Sequence, residues 1–162
     1  MALNSNQLVA LRELQHATDD GDVAAIVRTL REHPADPVLQ CTGLSELRVV
    51  LSVGVELHTA LAQAAIEAGA LALATAALRT HNANADVQQS AAYAFMKLAQ
   101  VFPAEVGASG AIEAAVTGMR NHAANYDVQL KLGMVQVSVC GGSGLQLRGP
   151  RTVCLQNGGC AT

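Results

Sequence analysis

A block of thirteen residues that occurs three times constrains this chain more than any other feature. It reads GDVAAIVRTLREH from Gly21, GALALATAALRTH from Gly69 and GAIEAAVTGMRNH from Gly110, so that the starts lie 48 and 41 residues apart. A repeat of this length is one supersecondary unit, which buries its apolar face only by stacking on its neighbours. We therefore expect a stack of similar units over residues 1–136.

Each copy of the block carries one apolar stripe. The residues two, five, six and nine positions after the Gly share one face of an α-helix, and eleven of the twelve are apolar. They are Val23, Ile26, Val27 and Leu30, then Leu71, Ala74, Thr75 and Leu78, then Ile112, Ala115, Val116 and Met119. Each helix closes on an Arg, which suits the negative end of the helix dipole, and a His follows two residues later. Because His33, His81 and His122 recur at one position, we expect them to have a structural role at helix ends.

Two further helices accompany each copy of the block. A polar turn follows each His, and Asp36, Asp86 and Asp127 are the predicted N-caps of the next helix, with Pro37 at the first helical position. Another helix is predicted before each Gly, over residues 6–18, 55–68 and 103–109. We expect the seven extra residues of the longer interval near 48–54. The unit therefore has three helices, and the fold class is all-α.

Composition supports this fold class and excludes several functions. The chain is 51% hydrophobic but only 2% aromatic, because its apolar mass is mostly Ala, Leu and Val. Its formal net charge is -3, and no cluster of Lys and Arg predicts nucleic-acid binding. No uncharged apolar stretch is long enough for a membrane span, and no secretory signal precedes the first helix. We expect a cytoplasmic protein, with the nucleus as the alternative.

With this pattern of helices the chain resembles the armadillo repeat family over about residues 6–136. The resemblance is carried by the spacing of about 41 residues, the three-helix unit and the sequence of residues 69–99, GALALATAALRTHNANADVQQSAAYAFMKLA. It implies a right-handed α-solenoid of about three units, the last one truncated. It also implies a scaffold that binds a protein or peptide partner, and neither an enzyme nor a cofactor-binding protein.

The resemblance also implies a binding groove. In this family the third helix of each repeat lines a concave surface, where a Trp and an Asn four residues later often hold an extended peptide. The positions that correspond here are Tyr93 and Lys97, with Ser90 one turn earlier, then Lys131 and Met134 in the next repeat, and Thr42 and Ser45 in the first, in a register that the turn length leaves open by two residues. Since the Trp and Asn are absent, we do not expect importin-like binding of a basic peptide.

Two interpretations of these groove positions remain open. Lys97 and Lys131 either favour an acidic partner or are solvated surface lysines. Tyr93 is either a platform for a ligand or a half-buried packing residue.

No constellation in the sequence predicts catalysis or a metal site. Ser109 and Ser143 lie among glycines but match no nucleophile elbow, and the spacing of Cys41, Cys140, Cys154 and Cys160 fits no zinc template. We expect reduced thiols, no metal and no cofactor.

The repeat pattern stops after Gln136, and the Gly- and Cys-containing residues 137–162 are predicted to be disordered or irregular. They are either a divergent native tail or the translation of a retained intron, since Gln-Val-Ser at 136–138 can be encoded by the splice-donor consensus CAG GTG AGT. A truncated third unit would expose Ile112, Val116, Val128 and Leu132 and would self-associate through its C-terminal end. The alternative function is therefore a structural arm, or a fragment of a larger armadillo-repeat protein without independent function.

Overall fold

The computed structural model describes residues 3–52 and 55–142, and this part of the chain is helical throughout, without strands. Three helices form the first unit, three the second and three the third. In chain order they are α1 (Ser5–Asp20), α2 (Val23–Glu32), α3 (Pro37–Val50), α4 (Val55–Glu67), α5 (Ala70–Thr80), α6 (Ala85–Ala99), α7 (Pro103–Ala108), α8 (Ala111–Asn121) and α9 (Tyr126–Gly142).

The helices of successive units pack in two rows. Helix α6 packs on α3 and on α9, and helix α5 packs on α2 and on α8. The second helices of consecutive units are therefore neighbours in space, and so are the third helices. The three copies of the sequence block become α2, α5 and α8, as the periodicity predicts.

The repeated Gly has a backbone reason. Gly21, Gly69 and Gly110 have φ values of 70°, 89° and 77°, in the left-handed region that residues with a Cβ adopt only at a cost. Each of them ends one helix and leads into the next within one or two residues. A sharp corner between the first and second helix of each unit therefore requires Gly.

The predicted caps are correct in the first unit and wrong in the other two. Asp36 caps α3 by accepting hydrogen bonds from the backbone amides of Val38 and Leu39, at 2.9 and 3.2 Å. In the second unit the cap is Asn84, and Asp86 lies inside the first turn of α6. In the third unit Asn125 accepts from the amide of Val128 at 3.2 Å. The Asn closes the turn because it is the last residue before the helical backbone begins.

The extra residues of the longer repeat interval do not lie near residues 48–54, as the sequence pattern had suggested. Helix α4 has 13 residues, whereas its counterpart α7 has 6. The difference of seven therefore lengthens one helix and leaves the connection before it nearly unchanged.

Burial confirms the predicted stripes in the first two units. Every stripe residue of α2 and α5 is buried, whereas Ile112, Val116 and Met119 of α8 are half-buried. The prediction that Val128 and Leu132 are exposed is wrong, since both are 0% exposed. They are covered because α9 packs on α6, α7 and α8.

Helix α9 continues to Gly142, beyond the boundary predicted at residue 136. Val139, in this last part of the helix, is 7% exposed and belongs to the core. The remaining predicted tail, residues 143–162 with Cys154 and Cys160, lies outside the described residues.

Candidate functional site

Three equivalent glutamines join α3, α6 and α9 each to the preceding helix of its own unit. The Nε2 of Gln88 donates to the carbonyl oxygens of Leu78 and His81 at the end of α5, at 2.8 and 3.2 Å. Gln40 makes the same pair of bonds to the end of α2, at 2.7 and 3.0 Å, and Gln129 to the end of α8, at 2.5 and 3.1 Å. Each bond adds a side-chain donor to a carbonyl group at the C-terminal end of a helix, where partners within the helix run out.

Sequence reasoning missed these glutamines, although a signal for them existed. Gln40, Gln88 and Gln129 are 48 and 41 residues apart, the same spacing as the three Gly. They also settle the register of the predicted groove. Thr42, Ser90 and Lys131 are equivalent, as are Ser45, Tyr93 and Met134, so that no slip of two residues occurs in the first unit.

A small polar cluster joins α3 to α6. The Oγ of Ser90 lies 3.1 Å from the Oγ of Ser45 and 3.4 Å from the Sγ of Cys41. Ser90 is 7% exposed, and its partners are half-buried. Because buried hydroxyl groups need hydrogen-bond partners, this cluster fixes the two helices relative to each other.

Tyr93 lies at the centre of the row and contacts all three units. Its ring centroid is 4.7 Å from Lys131 Nζ on α9 and 5.5 Å from Arg48 Cζ on α3. Cations at these distances are attracted to the ring face by about 0.5–1 kcal/mol each at exposed sites. Tyr93 is half-buried, so its ring both packs against its neighbours and contacts two cations. Arg48 is a site residue that sequence reasoning missed.

A cavity of about 320 Å³ opens beside this tyrosine. Its lining combines α3 and α6 and consists of Cys41, Ser45, Arg48, Asp86, Gln89, Ser90 and Tyr93. A second cavity of about 250 Å³ adjoins it through Cys41 and Asp86, at the N-terminal ends of the same helices. Together they form a shallow groove along the α3–α6 boundary.

The cations of this surface are not neutralised locally. Among the side chains described in residues 3–52 and 57–141, the one contact of at most 4.0 Å between a basic nitrogen and a carboxylate oxygen joins His16 to Asp20, at 3.4 Å. Arg48, Lys97 and Lys131 therefore have no carboxylate in contact among these side chains. Asp86 is the acidic residue of the cavity lining, at the N-terminal end of α6.

The structure brings together some of the predicted groove residues and separates others. Tyr93 contacts Lys131, and Ser90 lies on the same helix one turn earlier. Lys97 lies one turn beyond Tyr93 and is half-buried, without a ring contact to it. Met134 occupies the position equivalent to Tyr93 and is 39% exposed. The site is therefore a row of positions along three helices, with its densest contacts at Tyr93.

Two recurring histidines join consecutive units. Nε2 of His81 lies 2.9 Å from the carbonyl oxygen of Pro34, and Nε2 of His122 lies 2.9 Å from that of Asn82. Their place at the C-terminal ends of α5 and α8 agrees with the structural role expected for them. Within the described ranges no three His, Cys, Asp or Glu side chains converge as metal ligands would.

Comparison with known proteins adds no assignment. No family model, no curated protein and no solved structure matches the chain. Within the described residues, no single helix is both long and apolar enough to cross a membrane; α4 and α5 pass such a test as a pair, over Leu57–Glu67 and Ala70–Thr80, but are bent by 67°. A functional assignment therefore rests on the arrangement around Tyr93.

Proposed function

We propose that this protein is an interaction scaffold, an α-solenoid of armadillo-like repeats that binds an acidic peptide or partner helix along α3, α6 and α9. The observation that supports this most directly is Tyr93, which lies between Arg48 and Lys131, and neither cation has a described carboxylate in contact. A groove that starts beside this tyrosine gives a ligand room to approach. The two-row packing of equivalent helices supports the solenoid.

The chemistry of the row suits an extended acidic segment with apolar side chains. Arg48 offers a planar fork that matches a carboxylate with two hydrogen bonds, and Lys131 offers a compact positive charge. Val49, Leu130 and Met134 are 46%, 41% and 39% exposed, and provide apolar contacts along the same row. A ligand that alternates carboxylates with Leu or Val would use both sets.

A binding experiment with defined peptides tests this proposal. The probe is a fluorescent peptide that alternates Glu and Leu, and binding is followed by fluorescence polarisation against a peptide that alternates Lys and Leu. We expect preference for the acidic peptide, and about tenfold weaker binding after Arg48→Ala or Lys131→Ala, the effect of losing one charged contact. Equal binding of both peptides would reject the acidic ligand.

A matched control variant is Arg12→Ala. Arg12 is exposed on α1, and its substitution removes the same charge as Arg48→Ala without touching the row. It should leave peptide affinity within about twofold of the original. If Arg12→Ala weakens binding as much as Arg48→Ala, the net charge of the protein attracts the acidic peptide, and the groove is not the binding site.

The second candidate function is a structural arm whose units stack on further helices. The half-buried state of Ile112, Val116 and Met119 on α8 supports it, because their counterparts on α2 and α5 are buried. A chain that binds neither peptide but associates through α8 would support this candidate.

A further inference from the structure

The contacts between units use two connections that recur. At the first junction the guanidinium of Arg31 donates to the carbonyl oxygen of Ala68 at 2.7 Å, and it lies 2.9 Å from where a Cβ on Gly69 would be. At the second junction Arg79 lies 2.9 Å from the corresponding point on Gly110. The Arg of one unit therefore occupies the open side of the left-handed Gly of the next unit.

The second connection runs in the opposite direction. The ring of each His reaches back to the carbonyl oxygen of the residue that follows the preceding His, from His81 to Pro34 and from His122 to Asn82. Each junction thus combines one Arg side chain directed towards the next unit and one His ring directed towards the preceding unit, where it contacts a carbonyl group 47 or 40 residues earlier in sequence.

At each end of the described stack, the Arg–Gly contact and the His–carbonyl contact each lack one of their two partners. Among the described residues, no atom lies within 4 Å of the point where a Cβ on Gly21 would be, although Gly21 has the same left-handed backbone as Gly69 and Gly110. At the other end Arg120 is exposed, and no left-handed Gly follows it within the described residues. For the His–carbonyl contact, the equivalent groups are the ring of His33 at the Gly21 end and the carbonyl group of Ala123 at the α8 end.

The two ends of the stack differ in apolar exposure and carry opposite charges. The forward side of α8 leaves Ile112, Val116 and Met119 incompletely covered beside the cationic Arg120. The Gly21 end presents three exposed carboxylates, Asp19, Asp20 and Asp22. Opposite charges of this kind steer two surfaces together and fix their register.

We propose that the protein associates head to tail, with the α8 end of one copy docked on the Gly21 end of the next, independently of any peptide groove. Arg120 then takes at Gly21 of the second copy the place that Arg31 takes at Gly69, and His33 of that copy reaches the carbonyl group of Ala123. The two surfaces differ, so the contact is heterologous and each added copy presents a fresh end. Chains of copies form at high concentration.

Sedimentation velocity of the full chain from about 10 µM to about 1 mM is the test. The average mass should rise steadily beyond the dimer. Arg120→Glu and Asp20→Arg should each weaken association about tenfold or more, because each places like charges across the contact. Arg12→Glu, with the same charge change as Arg120→Glu at an exposed position of α1, should leave association unchanged.

Mixing the two variants separates head-to-tail contact from every symmetric alternative. The Arg120→Glu chain keeps an intact Gly21 end, and the Asp20→Arg chain keeps an intact α8 end. Their mixture should therefore associate at a concentration at which each variant alone stays monomeric, because the intact ends of the two variants meet and the two substituted ends carry opposite charges. Circular dichroism of each variant at low concentration verifies that it is folded.

Three results would overturn the proposal. The first is a monomer at every concentration, and the second is a dimer that Asp20→Arg leaves intact, which would place α8 against α8. The third is association that begins only when the chain is shortened to residues 1–142, which would show that residues 143–162 of the same chain cover α8.

Discussion

The middle of the molecule and its α8 end contain the same repeated residues in different environments. Leu78 in the second unit is 1% exposed, whereas Met119, at the same position in the third unit, is half-buried. Arg79 fills the open side of Gly110, whereas Arg120 has no left-handed Gly ahead of it in the described part of the chain. Since the helices are alike, the neighbour on the forward side accounts for the difference.

This comparison shows that each repeat position has two roles, one within its unit and one at the junction. The glutamines Gln40, Gln88 and Gln129 work within their own units, and all three make their bonds. The arginines work between units, so their contacts depend on the presence of a next unit. A substitution should therefore have similar effects in all units at the first kind of position and unequal effects at the second.

The largest expected difference is between two truncations at one repeat position. Leu78→Ala should lower the free energy of unfolding by about 2–5 kcal/mol, because it leaves a cavity in a packed core. Met119→Ala should cost under about 1.5 kcal/mol, because its side chain is already partly in water. Urea unfolding followed by circular dichroism measures both. Equal losses would show that the third unit is as well covered as the second.

A smaller difference is expected between two of the repeated glycines. Gly21→Ala should cost about 1–2 kcal/mol, the penalty for a left-handed backbone with a Cβ. Gly110→Ala carries the same penalty and also forces Arg79 away, since the added Cβ would lie 2.9 Å from its guanidinium. Thermal unfolding at low protein concentration should place Gly110→Ala below Gly21→Ala. The reverse order would contradict the role given to Arg79.

The smallest effect concerns acid and the cap of α3. Partial burial of Asp36 opposes ionisation, but the hydrogen bonds from Gln7 and from the amides of Leu39 and Val38 prevail, so its pKa lies below the usual 3.8. The folded state therefore binds this proton less tightly than the unfolded chain does. The stabilisation is complete above the unfolded pKa and is lost as the pH falls through the folded pKa.

Asp36→Asn provides the matched test, because Asn84 shows that an amide oxygen caps the equivalent helix. The variant should be less stable than the original protein near neutral pH, by under about 1 kcal/mol, and this gap should close as the pH falls through the lowered pKa of Asp36. Urea unfolding at neutral pH and along an acid series measures it. A stability difference that stays constant with pH would show that the charge of Asp36 does not contribute to the stability of the cap.

Much of the fold could be predicted from residues that are close in sequence. The stripes of α2 and α5, the helices before each Gly and the cap at Asp36 are local patterns with a period of three to four residues. The predicted caps of α6 and α9 lie two residues late, because Asn and Asp both suit that position and are close together in each turn. The predicted end of α9 lies six residues early, since Gly141 and Gly142 continue the helix.

The candidate site was less accessible to sequence reasoning. The positions of Ser90, Tyr93 and Lys131 could be predicted from the spacing of the repeat. Arg48 could not, because its contact with Tyr93 joins residues 45 positions apart and depends on how α3 packs against α6. The bonds of Ser90 to Ser45 and Cys41 depend on the same packing.

By itself, the sequence determined that this chain forms three similar groups of helices, each turned at a left-handed Gly, because helix periodicity and backbone sterics act over a few residues. The tertiary structure decided which copies of each repeated residue find a partner. Arg31 and Arg79 do so through the unit after them, and the ring of His81 through the unit that precedes it. Copies of the same repeated residue differ in whether they have a partner because a contact at a junction requires two consecutive units, and only one unit is present at each end of a stack.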